Sequence, residues 1–342
     1  MNTITIITEP IPRNVGERLF FPVHKKATVI RRYIGALLKG KRLLKHTISP
    51  QYGGHPAVTR SLIEGLTKLS VNFVLNPTSI KNVTSIVVDL SSVPALKQLL
   101  QLKNIQTLIV GPNLMNLSTD HEHILDHANI DAIIVPSEWT KKLYTDDLPS
   151  IKDKIEIWPA GVDEAYWKPQ INTESKNAKK NILLYWKHHD KNLLQEIKKS
   201  ILDLNYSIQL IEYGSYSKKE YYKALSRSVA MVFVSQSESE GIAALEAWSM
   251  DVPTFCFQST EPLLLSNKQI LYSSPCPYLS DSTGSFWKTT SELKDLLKGA
   301  SQKNMTTYKP RKWLLEHLTD VHSVKILLSI IEKYSSHAQS HS

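Results

Sequence analysis

The sequence predicts an α/β protein with two doubly wound domains, and three observations support that prediction. A chain of 342 residues suits two domains of roughly 150 residues each. Short apolar runs without polar alternation are typical of parallel strands that are covered on both faces. Helix-like stretches separate these runs almost throughout the chain. With 42% hydrophobic and 21% charged residues, the composition excludes a disordered chain, a collagen-like repeat and a coiled coil.

The predicted strands and helices alternate through both halves of the chain. The predicted strands are Thr3–Ile7, Phe73–Leu75, Ser85–Leu90, Thr107–Val110, Ala132–Val135, Ile155–Trp158, Ile182–Tyr185, Ile208–Glu212, Ala230–Val234 and Thr254–Phe257. The predicted helices are Val58–Leu69, Pro94–Lys103, Ser137–Leu143, Asn192–Leu204, Lys218–Ser228, Ala243–Met250 and a helical stretch from Trp313 to Tyr334. No apolar run approaches the roughly 20 residues that a membrane-spanning helix needs.

One segment breaks the alternation near the middle of the chain. Gln170–Lys180 is polar and without periodicity, and a strand pattern starts directly after it. Such a segment is typical of an interdomain linker. We therefore predict a first domain over residues 1–170, a second over 171–320, and a C-terminal helix and polar tail over 321–342. Two such domains facing a central cleft would place the carboxyl ends of their strands, where these sheets bind ligands, around one site.

Basic charge is concentrated in one segment of the first domain. The chain carries a net charge of +9, and residues 21–50 hold eight Lys and Arg residues and no Asp or Glu. From the charge alone, residues 25–45 could contact nucleic acid, a phosphorylated substrate or an anionic membrane, or they could form a solvated basic face. Nucleic acid is not an expected partner, because the sequence has no helix-turn-helix, zinc or RNP-type pattern.

The N-terminus and the cysteines predict a cytoplasmic protein. Residues 1–7 have neither the basic region nor the cleavage site of a signal peptide. Cys256 and Cys276 are too few for a disulfide framework, which favours a reducing compartment. We expect a cytoplasmic location, peripheral to the membrane if the basic segment binds lipid.

The most informative stretch joins a predicted strand to a predicted helix. Ala230–Val234 ends, a polar loop with two carboxylates, one of them Glu238, follows, and a helix opens at Gly241. The backbone N–H groups of Gly241, Ile242 and Ala243 would lack intrahelical acceptors and could bind an anion. Such amides beside carboxylates suit a sugar nucleotide. The alternative is a helix N-terminus whose acidic neighbours only complement the helix dipole.

This stretch resembles the retaining GT-B glycosyltransferases of the glycosyl transferase group 1 superfamily, which includes glycogen-synthase-like and family 4-like enzymes. Glu238 and Glu246 stand in the E-x7-E arrangement of that superfamily, and residues 246–254 look like its next helix, turn and strand. Residues 133–139 and 155–169 are similar to two motifs of its N-terminal domain. Two further matches are Gly53-Gly54, which resembles its glycine loop, and residues 309–316, which resemble its C-terminal helical segment.

The resemblance implies the GT-B fold, two Rossmann-like domains facing a central cleft, and a hexosyltransferase-type enzyme of polysaccharide biosynthesis. Its donor would be a nucleoside-diphosphate sugar and its acceptor a hydroxyl of a glycan or a lipid-linked molecule, with retained stereochemistry and no metal. Glu246 would hold the donor ribose and Glu238 the donor sugar. The implied diphosphate ligands are the amides of Gly241, Ile242 and Ala243, with Gly53 and Gly54 approaching across the cleft.

The chain departs from the superfamily pattern in several places. The usual Gly-Arg that helps neutralise the leaving diphosphate is absent, and we assign Lys187 and Lys191 to that role by position, with surface lysines as the alternative. Many members carry a His near the reacting sugar, where this chain has Asn113, so Asn113 takes part of that role or the role is lost. Tyr213 follows a strand of the second domain where the nucleotide base usually docks, or it only packs there.

Two remaining features carry weaker expectations. His55, after the glycine pair, either enters the cleft or is an ordinary loop residue. We find no Asp-x-Asp metal motif and predict that Asp146-Asp147 lies in a loop over 145–150. Two alternative functions stay open: a GT-B-fold epimerase or hydrolase that acts on the sugar nucleotide alone, and a catalytically silent subunit that binds glycans or membranes.

Overall fold

The computed structural model describes residues 3–12, 54–112, 116–169, 181–301 and 307–340. Four sequence predictions lie outside these residues: the basic segment 25–45, the linker 170–180, Gly53 and Asn113. The chain divides into two compact units. Unit 1 comprises Met1–Pro136, Lys141–Pro159 and Ser323–Ser342, and unit 2 comprises Ser137–Thr140 and Ala160–His322.

Unit 1 contains a parallel sheet of six strands. In chain order these are β1 (Ile4–Ile7), β2 (Phe73–Leu75), β3 (Ile86–Asp89), β4 (Thr107–Val110), β5 (Ala132–Val135) and β6 (Ile155–Ile157). Their order across the sheet is β2-β1-β3-β4-β5-β6, and every neighbouring pair is parallel. All residues of β1, β3, β4 and β5 are buried, which explains why these strands occur in the sequence as continuous apolar runs.

Helices and short turns complete unit 1. They are α1 (Gly54–Lys68), α2 (Val93–Leu99), most of α3 (Glu138–Asp147), the larger part of α9 (Asp320–Ser340), 3-10 turns at Ile80–Asn82, Ile124–Asp126 and Pro149–Lys154, and a left-handed turn at Asp120–His123. The indole N–H of Trp158 donates to the carbonyl of Ser323 at 3.0 Å, and the Ser323 hydroxyl donates to the carbonyl of Pro159 at 2.6 Å. These bonds attach α9 to the chain that follows β6.

Unit 2 contains a second parallel sheet, of five strands. Its strands are β7 (Asn181–Lys187), β8 (Ser207–Glu212), β9 (Ser228–Ser235), β10 (Thr254–Phe257) and β13 (Gly284–Trp287), in the order β13-β10-β9-β7-β8. An antiparallel hairpin, β11 (Leu263–Leu265) and β12 (Lys268–Ile270), follows β10. The helices are α4 (Lys191–Leu202), α5 (Lys218–Arg227), α6 (Ile242–Ser249), α7 (Thr290–Ser301) and α8 (Pro310–His317). The apolar faces of α4 and α7 pack on the sheet around Trp287.

All ten predicted strands are present, and the prediction of an α/β fold with parallel sheets is confirmed. The sequence prediction missed β11, β12, β13 and α7. It also treated Trp313–Tyr334 as one helical stretch, whereas α8 ends at His317 and α9 begins at Asp320. The break occurs because Thr319 forms an isolated parallel bridge with Val162, and its backbone therefore leaves the helix.

The prediction that Asp146-Asp147 lies in a loop is wrong. Both residues belong to the last turn of α3. The Asp147 carboxylate accepts hydrogen bonds from the Ser118 hydroxyl at 3.0 Å and from the Thr119 N–H at 2.8 Å. This carboxylate therefore fastens the 118–119 turn to the end of α3.

Candidate functional site

In unit 2 the order of the strands reverses between β7 and β9. β8 lies on one side of β7, and β10 and β13 follow on the far side of β9. Ligands of open parallel sheets bind at this kind of switch point, beyond the carboxyl ends of the strands. The last residues of the two strands, Lys187 and Ser235, are partners in the ladder. The loop from Ser235 to Gly241 therefore starts at the position where such a sheet has a crevice.

Three side chains that the sequence singles out, Glu238, Lys187 and Tyr213, meet at this point. Lys187 Nζ lies 2.8 Å from Glu238 Oε1, and the two side chains are 31% and 17% exposed. The same ammonium lies 4.4 Å from the ring centroid of Tyr213, an exposed residue directly after β8. A cation over an aromatic face is attracted by the ring, so Lys187 is held by two neighbours.

The main chain of the Glu238 loop is fixed by hydrogen bonds within unit 2. The Glu238 N–H donates to the carbonyl of Ser274 at 2.8 Å, and the indole N–H of Trp139 donates to the carbonyl of Glu238 at 2.9 Å. The hydroxyl of Ser137 donates to the carbonyl of Ser239 at 2.7 Å. Residues 133–139 resemble a motif of the superfamily, but the sequence assigns Ser137 and Trp139 no role, because the pairing of two segments about 100 residues apart has no local signal.

Helix α6 opens at Gly241, as the sequence predicts. Gly241 caps the helix with a φ of 78° and a ψ of 41°, a left-handed conformation that glycine adopts without strain. The N–H groups of Ile242 and Ala243 lie in the first turn, where no intrahelical acceptor exists. That turn holds no acidic residue. The positive end of the helix dipole is thus directed at the region beside Glu238, a geometry that suits an anion.

Glu246 lies one turn further along α6 and is 4% exposed. Its charge acts on two tyrosines of unit 2. Burial raises the pKa of Tyr221 and of Tyr216, and the charge of Glu246 raises both further. The Tyr221 hydroxyl donates to the carbonyl of Ala243 at 2.7 Å, which fixes the start of the helix. The carboxylate of Glu246 is therefore buried, and it lies close enough to Tyr216 and Tyr221 for its charge to act on both.

Lys191 is not brought to the Lys187–Glu238 pair. It is the first residue of α4, and its side chain is exposed. The preceding residue, Asp190, caps α4 by accepting from the N–H groups of Asn192 and Leu193 at 2.8 and 3.2 Å. Within the described residues no ion pair joins Lys191 to Glu238. Lys187 is the last residue of β7, and Lys191 begins α4 four residues later.

The second carboxyl group of the Glu238 loop, to which the sequence assigned no separate role, is Glu240. Glu240 is 7% exposed and accepts a hydrogen bond from the main-chain N–H of Ala160. Burial raises the pKa of Glu240 to about 7, and the bond from Ala160 lowers it by a smaller amount. Because Glu238 and Glu240 alternate with Ser237 and Ser239, the sequence alone could not show which carboxyl group is buried.

Unit 1 has a cavity at the corresponding position of its own sheet. The strand order reverses between β1 and β3, and the cavity, of about 740 Å³, is lined by Thr8 and Ser91, which follow these strands. His55, Arg60 and Glu64 of α1 form the facing wall. His55 thus lies at a ligand-sized cavity, and Gly54 is the first residue of α1.

A buried carboxyl group lies at the end of β3. Asp89 Oδ1 accepts from the N–H of Ser91 at 3.0 Å and from its hydroxyl, while Oδ2 has no hydrogen-bond partner in the described part of the chain. Burial raises the pKa of Asp89 to about 6. Asp89 therefore holds Ser91, one wall of the cavity, in place.

Two searches gave negative results for the residues that the structure describes. No group of three or more His, Cys, Asp or Glu side chains among them could hold a metal ion. No helix in the same residues is long and apolar enough to span a bilayer. The two cysteines, Cys256 and Cys276, are free and buried.

The comparisons with known proteins establish the fold. No family model matches the chain, and no curated protein sequence matches it. A glycosyltransferase from Rickettsia africae superposes with a TM-score of 0.58 at 13% identity, over 98% of this chain and 99% of that one. The lipopolysaccharide outer core galactosyltransferase WaaB gives 0.55 at 12% identity, over 97% and 99%. The catalytic domain of starch synthase IV from Arabidopsis thaliana, bound to ADP and acarbose, gives 0.50 at 9% identity, over 83% and 79%.

The chain therefore has the GT-B fold with two Rossmann-like domains, as the sequence predicts.

Proposed function

We propose that this protein is a glycosyltransferase that moves a sugar from a nucleoside-diphosphate sugar to a hydroxyl of a glycan or a lipid-linked acceptor. One observation carries the proposal: the Lys187–Glu238 pair lies at the switch point of unit 2, beside the N-terminal end of α6. A cation and free amides suit a diphosphate, and a carboxylate suits sugar hydroxyls. The GT-B fold, found also in the glycosyltransferases above, supports this reading.

The donor would lie along the loop between β9 and α6. In this proposal the amides of Gly241, Ile242 and Ala243 bind the diphosphate, and Lys187 neutralises it, with Lys191 as a second cation. The free face of Tyr213 stacks on the nucleotide base. Glu246 holds the ribose, and Glu238 accepts a hydroxyl of the sugar.

The acceptor would lie in the cavity of unit 1. Hydroxyl groups of Thr8 and Ser91 and the charged groups of Arg60 and Glu64 can bind a polar acceptor there. Three calls remain predictions from the sequence: that Gly53 and Gly54 approach the donor diphosphate, that Asn113 acts near the reacting sugar, and that residues 25–45 contact an anionic membrane in a peripheral cytoplasmic enzyme.

The reaction we propose is a front-face displacement with retained stereochemistry. The bond between the anomeric carbon and the diphosphate oxygen breaks, and the acceptor oxygen forms its bond on the same face. The acceptor proton moves to an oxygen of the leaving diphosphate, so no side-chain nucleophile is needed. Lys187, Lys191 and the helix amides stabilise the negative charge on the leaving group, the role that a metal ion has in other transferases.

A thermal-shift titration with UDP-, GDP- and ADP-sugars tests this function. A ligand at about 100 times its dissociation constant should stabilise the protein by about 2.7 kcal/mol. We expect one sugar nucleotide to shift the wild type and to shift Glu246→Ala much less. The control is Glu196→Ala, an exposed residue of α4, which should respond like the wild type. If no sugar nucleotide shifts the wild type, the proposal is wrong.

The bound donor then allows the reaction to be classified. We expect nucleoside diphosphate to be released only when an acceptor with a free hydroxyl is added. Rapid conversion of the donor alone would instead identify an epimerase or a hydrolase. Tight binding without any conversion in the presence of acceptors would identify a binding subunit.

A further inference from the structure

Ser235 is a buried residue beside the candidate site, and the sequence analysis gave it no role. It is the last residue of β9 and is 1% exposed. Its hydroxyl oxygen lies 2.9 Å from Glu238 Oε1 and 3.1 Å from the carbonyl of Ser237. A hydroxyl has one hydrogen to donate, and the bond to an ionised carboxylate is the stronger of the two.

The two oxygens of the Glu238 carboxylate have different surroundings. Oε1 accepts from the Ser235 hydroxyl and from Lys187 Nζ at 2.9 and 2.8 Å. Oε2 has no hydrogen-bond partner among the residues that the structure describes. Because the side chain is 17% exposed, a ligand can reach it. One oxygen of Glu238 is thus held by the protein, and the other is left to accept a hydrogen bond from a ligand.

We propose that Ser235 is a positioning residue that orients Glu238 toward the sugar part of a bound sugar nucleotide. The terminal torsion angle of a glutamate has a broad distribution, so a carboxylate without fixed partners can turn either oxygen toward a ligand. The ammonium group of Lys187 holds Oε1 of Glu238 firmly only when no second anion binds to the same ammonium group. A diphosphate beside Lys187 would draw part of that charge away, and Ser235 then remains as the neutral donor that holds the carboxylate. This inference rests on the proposed function.

The test compares two serines of the same strand. Ser228 lies at the other end of β9, is 3% exposed, and donates to the carbonyl of Ala224 at 2.8 Å. Ser235→Ala and Ser228→Ala therefore remove the same group from similar surroundings. For each variant, calorimetry measures the dissociation constants of UDP-glucose, UDP-galactose, UDP-N-acetylglucosamine, GDP-mannose and ADP-glucose, and of UDP, GDP and ADP.

We expect Ser235→Ala to bind the preferred sugar nucleotide about tenfold more weakly, since a hydrogen bond to a charged group is lost. The dissociation constant of the matching nucleoside diphosphate should change by less than about twofold, because that ligand has no sugar for Glu238 to contact. Ser228→Ala should leave both constants within about twofold of the wild type. In a protein that already carries Glu238→Gln, adding Ser235→Ala should raise the dissociation constant of the sugar nucleotide by less than about twofold.

Other outcomes separate this inference from the proposed function. If the wild type binds a sugar nucleotide and Ser235→Ala leaves its affinity unchanged, Ser235 does not position Glu238. The same conclusion follows if Ser235→Ala weakens the binding of the sugar nucleotide and of the nucleoside diphosphate equally, because the lost contact is then not one with the sugar. If the wild type binds none of the eight ligands, the proposed function fails, and this inference fails with it.

Discussion

Glu240 accepts a hydrogen bond from the main-chain N–H of Ala160, the first residue of the long segment of unit 2. The bond fastens the loop before α6 to residues that precede β7 by about 20 positions. The carboxyl group is almost fully buried, and Tyr278, whose pKa burial and the charge of Glu240 both raise, lies near it. Glu240 thus contributes to the structure that surrounds Glu238 without being exposed to a ligand.

This burial predicts a pH dependence of stability. The pKa of Glu240 is raised from 4.5 to about 7 by burial, so the folded protein keeps a proton that the unfolded chain releases between these values. The contribution of this group to stability is therefore largest below pH 4.5 and is lost as the pH rises through the folded pKa, a loss of about 3 kcal/mol by pH 7. Unfolding by urea at several pH values measures the decline.

The variant Glu240→Gln isolates this contribution. It removes the ionisation, so we expect its free energy of unfolding to decline less between pH 4.5 and 7. Part of the decline should persist, because burial also raises the pKa of Asp89, to about 6. Glu196→Gln, on the exposed face of α4, should keep the wild-type pH profile. An unchanged profile in Glu240→Gln would show that Glu240 is ionised in the folded protein.

If the proposed function is right, Lys187→Ala should lower the transferase rate by about 10²–10³-fold, because the proposal assigns Lys187 the charge that stabilises the leaving diphosphate. The matched control is Lys294→Ala. Lys294 forms an ion pair of the same length, 2.8 Å, with Asp203, and its side chain is 35% exposed. Loss of either partly exposed pair should cost less than about 1 kcal/mol of stability. Equal rates for Lys187→Ala and Lys294→Ala would remove Lys187 from the catalytic groups.

The strands could be predicted because the chemistry of a buried parallel strand is local. A run such as Ala132–Val135 is apolar at every position, since both of its faces are covered. The elements that were missed lack that signal. β13 combines Gly284 and Ser285 with two aromatic residues, and the hairpin of β11 and β12 has exposed positions on both strands.

The candidate site could be predicted only in part, for a related reason. The E-x7-E spacing and the helix that opens at Gly241 are local features, and the structure contains both. The contact of Lys187 with Glu238 depends on β7 lying next to β9 in the sheet, and strand order is not a local property. For the same reason the sequence did not indicate the bonds that Ser235 and Trp139 make to Glu238, or the burial of Glu240 against Ala160.

Trp139→Phe should weaken donor binding without disrupting the core. The substitution removes the indole N–H that donates to the carbonyl of Glu238, and an unpaired carbonyl costs about 1 kcal/mol. We expect a several-fold rise in the dissociation constant of the sugar nucleotide, because the main chain of the loop gains freedom. The control is Trp287→Phe, which loses an equivalent bond to the carbonyl of Phe255 at 3.1 Å. It should lower stability and leave the dissociation constant unchanged.

Gly241→Ala tests whether the start of α6 binds the diphosphate. A methyl group at Gly241 would contact the Cβ of Glu238 and the Cδ of Pro277 at 3.8 Å, an ordinary distance, so space is available. The φ of 78° is unfavourable for alanine, and keeping it would cost about 1–2 kcal/mol of conformational free energy. If the backbone at position 241 rotates to relieve this strain, the N–H groups of Ile242 and Ala243 no longer point toward the proposed phosphate position. We therefore expect the nucleoside diphosphate to bind about tenfold more weakly.

The control for this substitution is Gly299→Ala. Gly299 lies in α7, and a methyl group there would meet no heavy atom within 4 Å. Alanine is the better helix former, so this variant should gain up to about 1 kcal/mol of stability and bind the nucleoside diphosphate like the wild type. If Gly241→Ala loses stability but keeps its affinity for the nucleoside diphosphate, the amides of α6 do not hold the phosphates. Lys187 would then be the principal anion-binding group of the site.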